Sequence, residues 1–214
     1  MRYDLHVHSI YSSDSRTKVR EILKVCKKIG LDGICIADHN SLKGSLEAIK
    51  LKKDFEGLIV VPGVELSTKS GHLIALGIYE EINNNLGLKE IEDEIEKQNG
   101  LKIAPHPYSL LRKSLLHRIG KINIDAIETH NSKDFFRINN FFSTLYARKN
   151  KLPMTGGSDA HFLDEVGRGF TLLEANNEDE VLSMIKKGKC KPYFNPIPPS
   201  HSLRRICQRM LSEL

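Results

Sequence analysis

The chain has 214 residues, of which 40% are hydrophobic and 28% charged, so it is long enough for one well-buried domain and is neither disordered nor fibrous in composition. No apolar run approaches the ~18 residues that a membrane span requires, and the first residues include no hydrophobic leader, so we expect a cytoplasmic protein. The net charge of +5 favours a phosphorylated or nucleic-acid ligand without requiring one. The four cysteines form no CxxC pair, which favours reduced core thiols over a disulfide framework or a zinc ribbon.

Short apolar runs alternate with amphipathic stretches along the chain, which is the pattern of βα units around a parallel sheet. Strands are predicted at residues 3–8, 33–37, 58–61, 72–78, 101–104, 124–129 and 152–155, with a further candidate at 169–173. Helices are predicted from Thr17 to Gly30, from Ser41 onward, at about 88–99 and at about 178–187. Seven or eight sequential βα units in one domain favour a barrel over an open sheet.

The barrel pattern ends at the Pro-rich segment 195–199. We therefore divide the chain into a barrel at residues 1–195 and a connection with a C-terminal helix at residues 196–214. Residues 200–214 are basic and amphipathic, and packing onto the barrel explains them better than contact with a membrane or a partner helix.

Ligand-type side chains stand at the ends of six predicted strands or in the loops beyond, and the carboxyl ends of barrel strands form a single face. In chain order they are His6, His8, Asp14, His39, Glu65, His72, His106, Asp159 and His161. Side chains two residues apart on a strand point the same way, so His6 and His8 can bind one ion. Imidazoles and carboxylates without a nearby thiolate suit manganese, zinc or iron. Nine ligands exceed what one ion takes, so a multinuclear site is predicted, with Glu65 as a bridge.

Each of these features alone has an ordinary structural explanation. One His-x-His pair is more often a surface or packing feature than a site, and a single histidine that begins a strand, such as His72, is more often a hydrogen-bonded core residue. These ordinary explanations do not account for six successive strand ends that each carry a side chain able to bind a metal. His117, His130 and His201 keep the ordinary interpretation, although His130 shares an alternation face with Glu128.

The ordered set of motifs resembles the PHP (polymerase and histidinol phosphatase) family of metal-dependent phosphoesterases. The motifs are DLHVHS at 4–9, ADHN at 37–40, GVE at 63–65, GHLIALG at 71–77, APHPY at 104–108 and GGSDAH at 156–161. The resemblance covers residues 1–189. It implies an α/β fold with a distorted (βα)7 TIM-like barrel and a metal site at the C-terminal face of the strands.

The resemblance also implies a ligand set for each of three metals. The first metal would take His6, His8, Glu65 and Asp159. The second would share Glu65 and add His72 and His106. The third would take Asp14, His39 and His161, a set that departs from the common pattern because many relatives have histidine in place of Asp14. Asp4 and Asp38, next to ligand histidines, are expected to hydrogen-bond to them and orient them.

The activity that the resemblance implies is hydrolysis of a phosphate ester by a water that two or three divalent ions (manganese, zinc or iron) activate. The expected catalytic residues are Glu65, Asp159, His161 and His39, and one of the two histidines would protonate the leaving oxygen if the third metal is absent. The candidates for holding the substrate phosphate are Arg168, Arg112 and Lys113, which ordinary surface charge explains equally well. A nucleotide, another small phosphomonoester, a 3′,5′-bisphosphate nucleotide and short RNA or DNA ends all fit, so phosphatase and 5′–3′ exonuclease both remain open.

Two other classes of function remain open. Amidohydrolases also begin with His-x-His, but they typically carry a metal-bridging lysine at the fourth strand, where this chain has His72. Non-catalytic PHP-like scaffold subunits lose metal ligands, whereas this chain has a candidate at all nine positions. No membrane contact and no obligate protein partner are expected.

Overall fold

The computed structural model describes residues 1–109, 114–134, 137–198 and 201. The strands are β1 (Arg2–Val7), β2 (Gly33–Ile36), β3 (Ile59–Val60), β4 (Gly63–Thr68), β5 (Gly71–Leu76), β6 (Leu101–Ala104), β7 (Ala126–Asn131), β8 (Met154–Gly157), β9 (Gly169–Leu172) and β10 (Lys191–Phe194). The helices are α1 (Val19–Ile29), α2 (Lys43–Leu51), α3 (Leu88–Lys97), α4 (Ile138–Asn150) and α5 (Glu178–Lys186). Among the described residues, no helix has the length and apolar character needed to cross a membrane.

The strands form two five-stranded sheets of mixed direction. The first sheet has the order β10-β9-β1-β2-β3, in which β1, β2 and β3 are parallel and β9 is antiparallel to both of its neighbours. The second has the order β4-β5-β6-β7-β8, in which β5 is antiparallel to β4 and β6, and β6, β7 and β8 are parallel. The predicted α/β class is confirmed, but the sheets are mixed rather than wholly parallel.

Backbone contacts join the two sheets at two places, and predicted ligands lie at both. Where β1 ends, the amide of Asp159 donates a hydrogen bond to the carbonyl of His6 (2.8 Å). Just after β2, the amide of Glu65 donates to the carbonyl of Asp38 (3.1 Å), and the amide of Asn40 donates to the carbonyl of Glu65 (3.0 Å). Isolated bridges rather than ladders mark both places in the described residues. The closed (βα)7 barrel therefore stays a prediction.

The largest departure from the predicted order is a hairpin in the second sheet. The strand predicted at 58–61 is shortened to the two residues of β3. A separate strand, β4, leads into β5 through a tight turn without a helix. The hydroxyl of Thr68 donates to the carbonyl of Gly71 (2.6 Å) and so closes the turn, where Gly71 has a φ of 137° that side chains rarely adopt. The expectation of uninterrupted βα units is wrong here, because so short a connection can join only antiparallel strands.

The predicted helices correspond to α1, α2, α3 and α5, whereas α4 and β10 are not predicted by the sequence pattern. Three small or polar residues, Asn140, Ser143 and Ala147, form the buried side of α4, while Phe141 and Phe142 are exposed. Polar residues on a buried face conceal a helix from a search for apolar periodicity. The predicted C-terminal helix at 200–214 lies, except for His201, outside the described residues.

The central position of β1 explains how its sequence serves both the core and the site. Tyr3 and Leu5 pack in the apolar cluster that also contains Cys35 and Ala37. The alternate residues Asp4 and His6, and His8 beyond the strand, are equally buried but form polar contacts. A strand buried on both faces must satisfy every polar group that it carries. The face of β1 that carries Asp4 and His6 therefore has a hydrogen-bond partner for each side chain.

Close packing of β1 against β2 generates the first prediction. A Cβ added at Gly33 would overlap the ring of Tyr3 and lie 2.8 Å from the carbonyl oxygen of Ile59. We expect Gly33→Ala to lower the free energy of unfolding by about 1–3 kcal/mol, measured by urea denaturation. Gly120→Ala is the matched control, because its added methyl would meet only the hydroxyl of Tyr146 at 3.8 Å. Equal stability of the two variants would show that β1 and β2 can separate without cost.

Candidate metal centre

All nine predicted ligands lie together where the two sheets meet. They come from the end of β1, the loop after it, the segment after β2, strands β4 and β5, and the segments after β6 and β8. Seven of the side chains are 11% exposed or less, whereas His39 is 20% and Asp14 33% exposed. The cluster is therefore deeply buried except on the side of these two residues.

The carboxylate of Glu65 lies at the centre of the cluster, and its two oxygens face different histidines. Oε2 is 3.4 Å from Nε2 of both His6 and His8, and 3.2 Å from Nδ1 of His39. Oε1 is 2.8 Å from Nδ1 of His72 and 3.1 Å from Nε2 of His106. A carboxylate placed in this way can bind a different ion with each oxygen.

The first predicted ligand group has the spacing of groups that share an ion. Nε2 of His6 and of His8 lie 3.8 and 3.4 Å from Oδ1 of Asp159. Ligands at about 2.1 Å from one ion are about 3.0–3.5 Å apart, close to these separations. Among the described residues, Nε2 of His6, Nε2 of His8 and Nδ1 of His39 are buried without a hydrogen-bond partner. Buried polar atoms of this kind carry a large cost unless a partner such as a cation satisfies them.

Hydrogen bonds on the outer side of three imidazoles direct their other nitrogen into the cluster. Nδ1 of His6 donates to Oε1 of Glu128 (2.9 Å), and Nδ1 of His8 donates to the hydroxyl of Ser12 (3.1 Å). Nδ1 of His161 donates to the backbone carbonyl of Asp159 (2.8 Å). With Nδ1 as the donor, Nε2 keeps the lone pair that a metal requires.

The third predicted group forms the exposed side of the cluster. Oδ2 of Asp14 is 2.9 Å from Nε2 of His161 and 3.6 Å from Nε2 of His39. The His8 ring lies between them, with its centroid 4.3 Å from that of His161 and 4.7 Å from that of His39. These four residues offer ligand atoms within 4.8 Å of one another, so the geometry can hold an ion here as well.

The electrostatics of the cluster favour a positive charge at its centre. Burial alone would raise the pKa of Glu65, but His6, His72 and His39 lower that pKa well below its ordinary value. Burial alone would lower the pKa of His6, yet the carboxylates of Glu128, Asp159 and Glu65 raise it well above its ordinary value. Burial and neighbouring imidazoles, that of His161 first, lower the pKa of His8 well below its ordinary value. Carboxylates that stay charged beside a neutral imidazole are a metal-binding combination.

Unusual backbone conformations occur at three positions in and beside the cluster. His106 has a φ of 31° and Asp159 a φ of 54°, and Asn40, which follows His39, has a φ of 55°. Residues other than glycine adopt positive φ at a cost, and such conformations concentrate at functional sites. At Asp159 the hydrogen bond from its amide to His6 holds the conformation in place.

Within the described residues, Asp4 and Asp38 do not accept from the ligand imidazoles, but Oδ1 of Asp4 accepts from the backbone amide of the ligand residue His6 (3.4 Å). Asp4 accepts hydrogen bonds from the backbone amides of Ser158 (3.0 Å) and Gly167 (2.8 Å), and burial raises its pKa to about 6. Asp38 accepts from the amide (2.5 Å) and the hydroxyl (2.6 Å) of Ser9. Both carboxylates therefore act on the backbone that carries the ligands rather than on the imidazole rings.

The segment at the end of β7 contributes three residues that the sequence analysis does not identify. Oε1 of Glu128 binds His6, and its Oε2 accepts from the side-chain amide of Asn131 (2.8 Å). The same amide donates to Oδ2 of Asp159 (3.2 Å). Nζ of Lys133 lies 3.2 Å from Oδ1 of Asp159. Glu128 and Asn131 lie three residues apart across an irregularity in the β7–β8 pairing, which breaks the alternation that a sequence pattern relies on.

Of the residues expected to hold a phosphate, Arg168 does not lie in the cluster. Nε of Arg168 donates to the backbone carbonyl of Asp164 (3.0 Å) at the surface, and Arg112 and Lys113 lie outside the described residues. His130 contacts the hydroxyl of Thr129 and the ring of Phe194 rather than the cluster. The ordinary interpretation of His130 therefore fits the structure.

Comparisons with known proteins identify relatives and structural neighbours. An uncharacterised protein of Methanocaldococcus jannaschii is 41% identical over 142 residues, which cover 62% of this chain and 82% of that protein. A two-domain protein of Bacteroides vulgatus that contains a predicted PHP-like metal-dependent phosphoesterase has a TM-score of 0.74 at 17% identity, over 91% of this chain and 65% of that one. This chain therefore spans less than two thirds of the Bacteroides protein.

An amidohydrolase of Chromobacterium violaceum, with bound sulfate and no metal, has a TM-score of 0.64 at 15% identity over 78% of this chain and 90% of that one. At these identities the two solved structures show a shared fold only. The model of a PHP-associated family matches residues 137–190. The chain therefore belongs to the same family as the Methanocaldococcus protein, and the PHP-associated match over residues 137–190 agrees with the family that its motifs resemble.

Proposed function

We propose that the protein is a metal-dependent phosphoesterase whose site is formed by the nine clustered residues. The observation that carries the proposal is the central carboxylate of Glu65. Its Oε2 faces His6, His8 and His39, and its Oε1 faces His72 and His106. This division supports two ions bridged by one carboxylate, and the group around Asp14 supports a third.

The residues present fit divalent cations. Buried imidazole nitrogens without partners and carboxylates with lowered pKa values are the donors that manganese, zinc or iron would take. Ions bound there would supply a nucleophile at neutral pH and stabilise charge on the phosphoryl oxygens. Glu128, Ser12 and the carbonyl of Asp159 hold the imidazoles so that they cannot rotate away.

The exposed side of the cluster is the place where a substrate would enter. His39 and Asp14 are its most accessible members, at 20% and 33% exposed. A small phosphomonoester such as a nucleotide is the substrate class that we propose, with 3′,5′-bisphosphate nucleotides and short RNA or DNA ends as the alternatives. If the third ion is absent, His161 or His39 would give a proton to the leaving oxygen.

A panel of phosphate ester and amide substrates tests which type of bond the protein hydrolyses. We expect hydrolysis of p-nitrophenyl phosphate or a nucleoside monophosphate to require manganese, zinc or iron and to stop with a chelator, because bound divalent ions would lower the pKa of the attacking water. Initial rates after dialysis and metal addition measure this. Chelator-insensitive hydrolysis, or faster hydrolysis of amides than of phosphate esters, would contradict the proposed reaction.

The bridging role of Glu65 predicts the effect of removing one charge. Glu65→Gln keeps the shape of the side chain, and we expect turnover to fall by at least about 100-fold with lower occupancy of two ions. Elemental analysis and kcat together measure this, and circular dichroism checks the fold. Glu94→Gln, on the exposed side of α3, is the matched control. Turnover within tenfold of the parent protein would remove Glu65 from the mechanism.

The exposure of Asp14 predicts that the third ion is the most exchangeable. Asp14 lies in a loop, so it loses more conformational freedom on metal binding than the strand residues do. We expect Asp14→Asn to lose about one ion per chain, manganese to support turnover better than zinc, and Asp14→His to shift this preference toward zinc. Elemental analysis after dialysis measures the ion count, with Asp93→Asn on α3 as the control. An unchanged metal content would show that Asp14 is only a solvated loop carboxylate.

A further inference from the structure

The side chain of Lys133 is the only described lysine ammonium placed in the cluster of nine ligands. Its Nζ lies 3.2 Å from Oδ1 of Asp159, and 3.2 and 3.4 Å from Nε2 and Nδ1 of His161. The side chain is 17% exposed, so its charge is largely withdrawn from water. Asp159 belongs to the first ligand group and His161 to the third, which places the ammonium between the two.

The position of Lys133 is fixed by the backbone that carries it. Its amide donates to Oδ1 of Asn131 (3.0 Å), whose side-chain amide donates in turn to Glu128 and to Asp159. The side chain of Asn140 on α4 pairs with the backbone of Asn131 in both directions. The backbone at Lys133 is therefore held in place by hydrogen bonds to and from Asn131.

An ammonium group has three donors and no lone pair, so Lys133 cannot itself be a metal ligand. In the proposed site, ions take the lone pairs of Asp159 Oδ1 and His161 Nε2, which are the present acceptors of Lys133. The N–H groups of Lys133 then require another acceptor beside Asp159 and His161. A phosphoryl oxygen is the acceptor that suits a compact, strongly charged donor at the end of a flexible stem.

We propose that Lys133 binds a non-bridging oxygen of the substrate phosphoryl group. The proposal rests on the proposed phosphoesterase function, and it assigns to Lys133 the role for which Arg168, Arg112 and Lys113 are the candidates from the sequence. No bond to Lys133 forms or breaks in this role: the ammonium only donates hydrogen bonds. The same group that pairs with Asp159 before the ions bind then becomes available to the substrate.

The test is the affinity of the manganese-loaded protein for inorganic phosphate at constant ionic strength. We expect Lys133→Met to weaken phosphate binding by at least about tenfold and Lys133→Arg to restore part of it, because a hydrogen bond to a charged group is lost and then partly replaced. KM for a phosphomonoester should rise by a similar factor. Lys187→Met, at the exposed end of α5, should bind phosphate like the parent protein, and all variants should hold the same number of ions.

The possible failures can be told apart. If Lys133→Met binds phosphate within threefold of an active parent protein, the role of Lys133 is overturned and the phosphoesterase function stands. If this variant loses ions together with phosphate affinity, Lys133 supports the ligand groups instead of the substrate, which also overturns the proposal. If the loaded parent protein binds no phosphate and hydrolyses no ester, both proposals fall.

Discussion

The structure of the site depends on one buried carboxylate shared among five imidazoles. Glu65 is 1% exposed, and its pKa is lowered by the histidines around it, so it remains charged in a place where an isolated carboxylate would be protonated. His6 is held toward it by Glu128, and His8 by Ser12. A central anion with inward-facing nitrogen donors has a geometry that a divalent cation can complete. Without such a cation, nitrogen atoms of His6, His8 and His39 remain buried and unpaired within the described residues.

The backbone of the ligand segments explains why the two sheets meet through isolated bridges rather than through continuous ladders. The contacts at both junctions pass through the backbone of ligands: Asp159 donates to His6, and Glu65 donates to Asp38. Further ladder bonds there would require extended conformations, whereas Asp159 has a φ of 54° that turns its side chain out of a regular strand. The irregular backbone thus limits sheet pairing and places ligand atoms from both sheets around Glu65. The local strain and the site geometry have one structural origin.

The sequence predicts which ligand-type side chains lie together better than it predicts how the strands are connected, for a physical reason. His6 and His8 are two residues apart on a strand, and this period alone places them on one face. The antiparallel course of β4 and β5 depends instead on the turn at Thr68 and Gly71, whose geometry is not expressed in apolar periodicity. Lys133 could not be predicted from the sequence because its approach to Asp159 depends on the anchoring of Asn131 by residues distant along the chain. A periodic pattern predicts on which face of a strand or helix a side chain lies, but it does not predict which loops come together in the folded chain.

The distribution of charge within the site follows from these contacts. In the deeply buried half, the carboxylate of Glu65 pairs with imidazoles through both oxygens, and that of Glu128 pairs with His6 and with the amide of Asn131. The side of Asp14 and His39 is more exposed, and Lys133, 17% exposed, places a cation beside Asp159 and the neighbouring His161. An anionic group that enters from the exposed side meets donors there and the ligand cluster beyond. Under the proposed function, the buried half would hold its ions in place, while the more exposed side would change its hydrogen bonds each time a phosphorylated ligand binds and leaves.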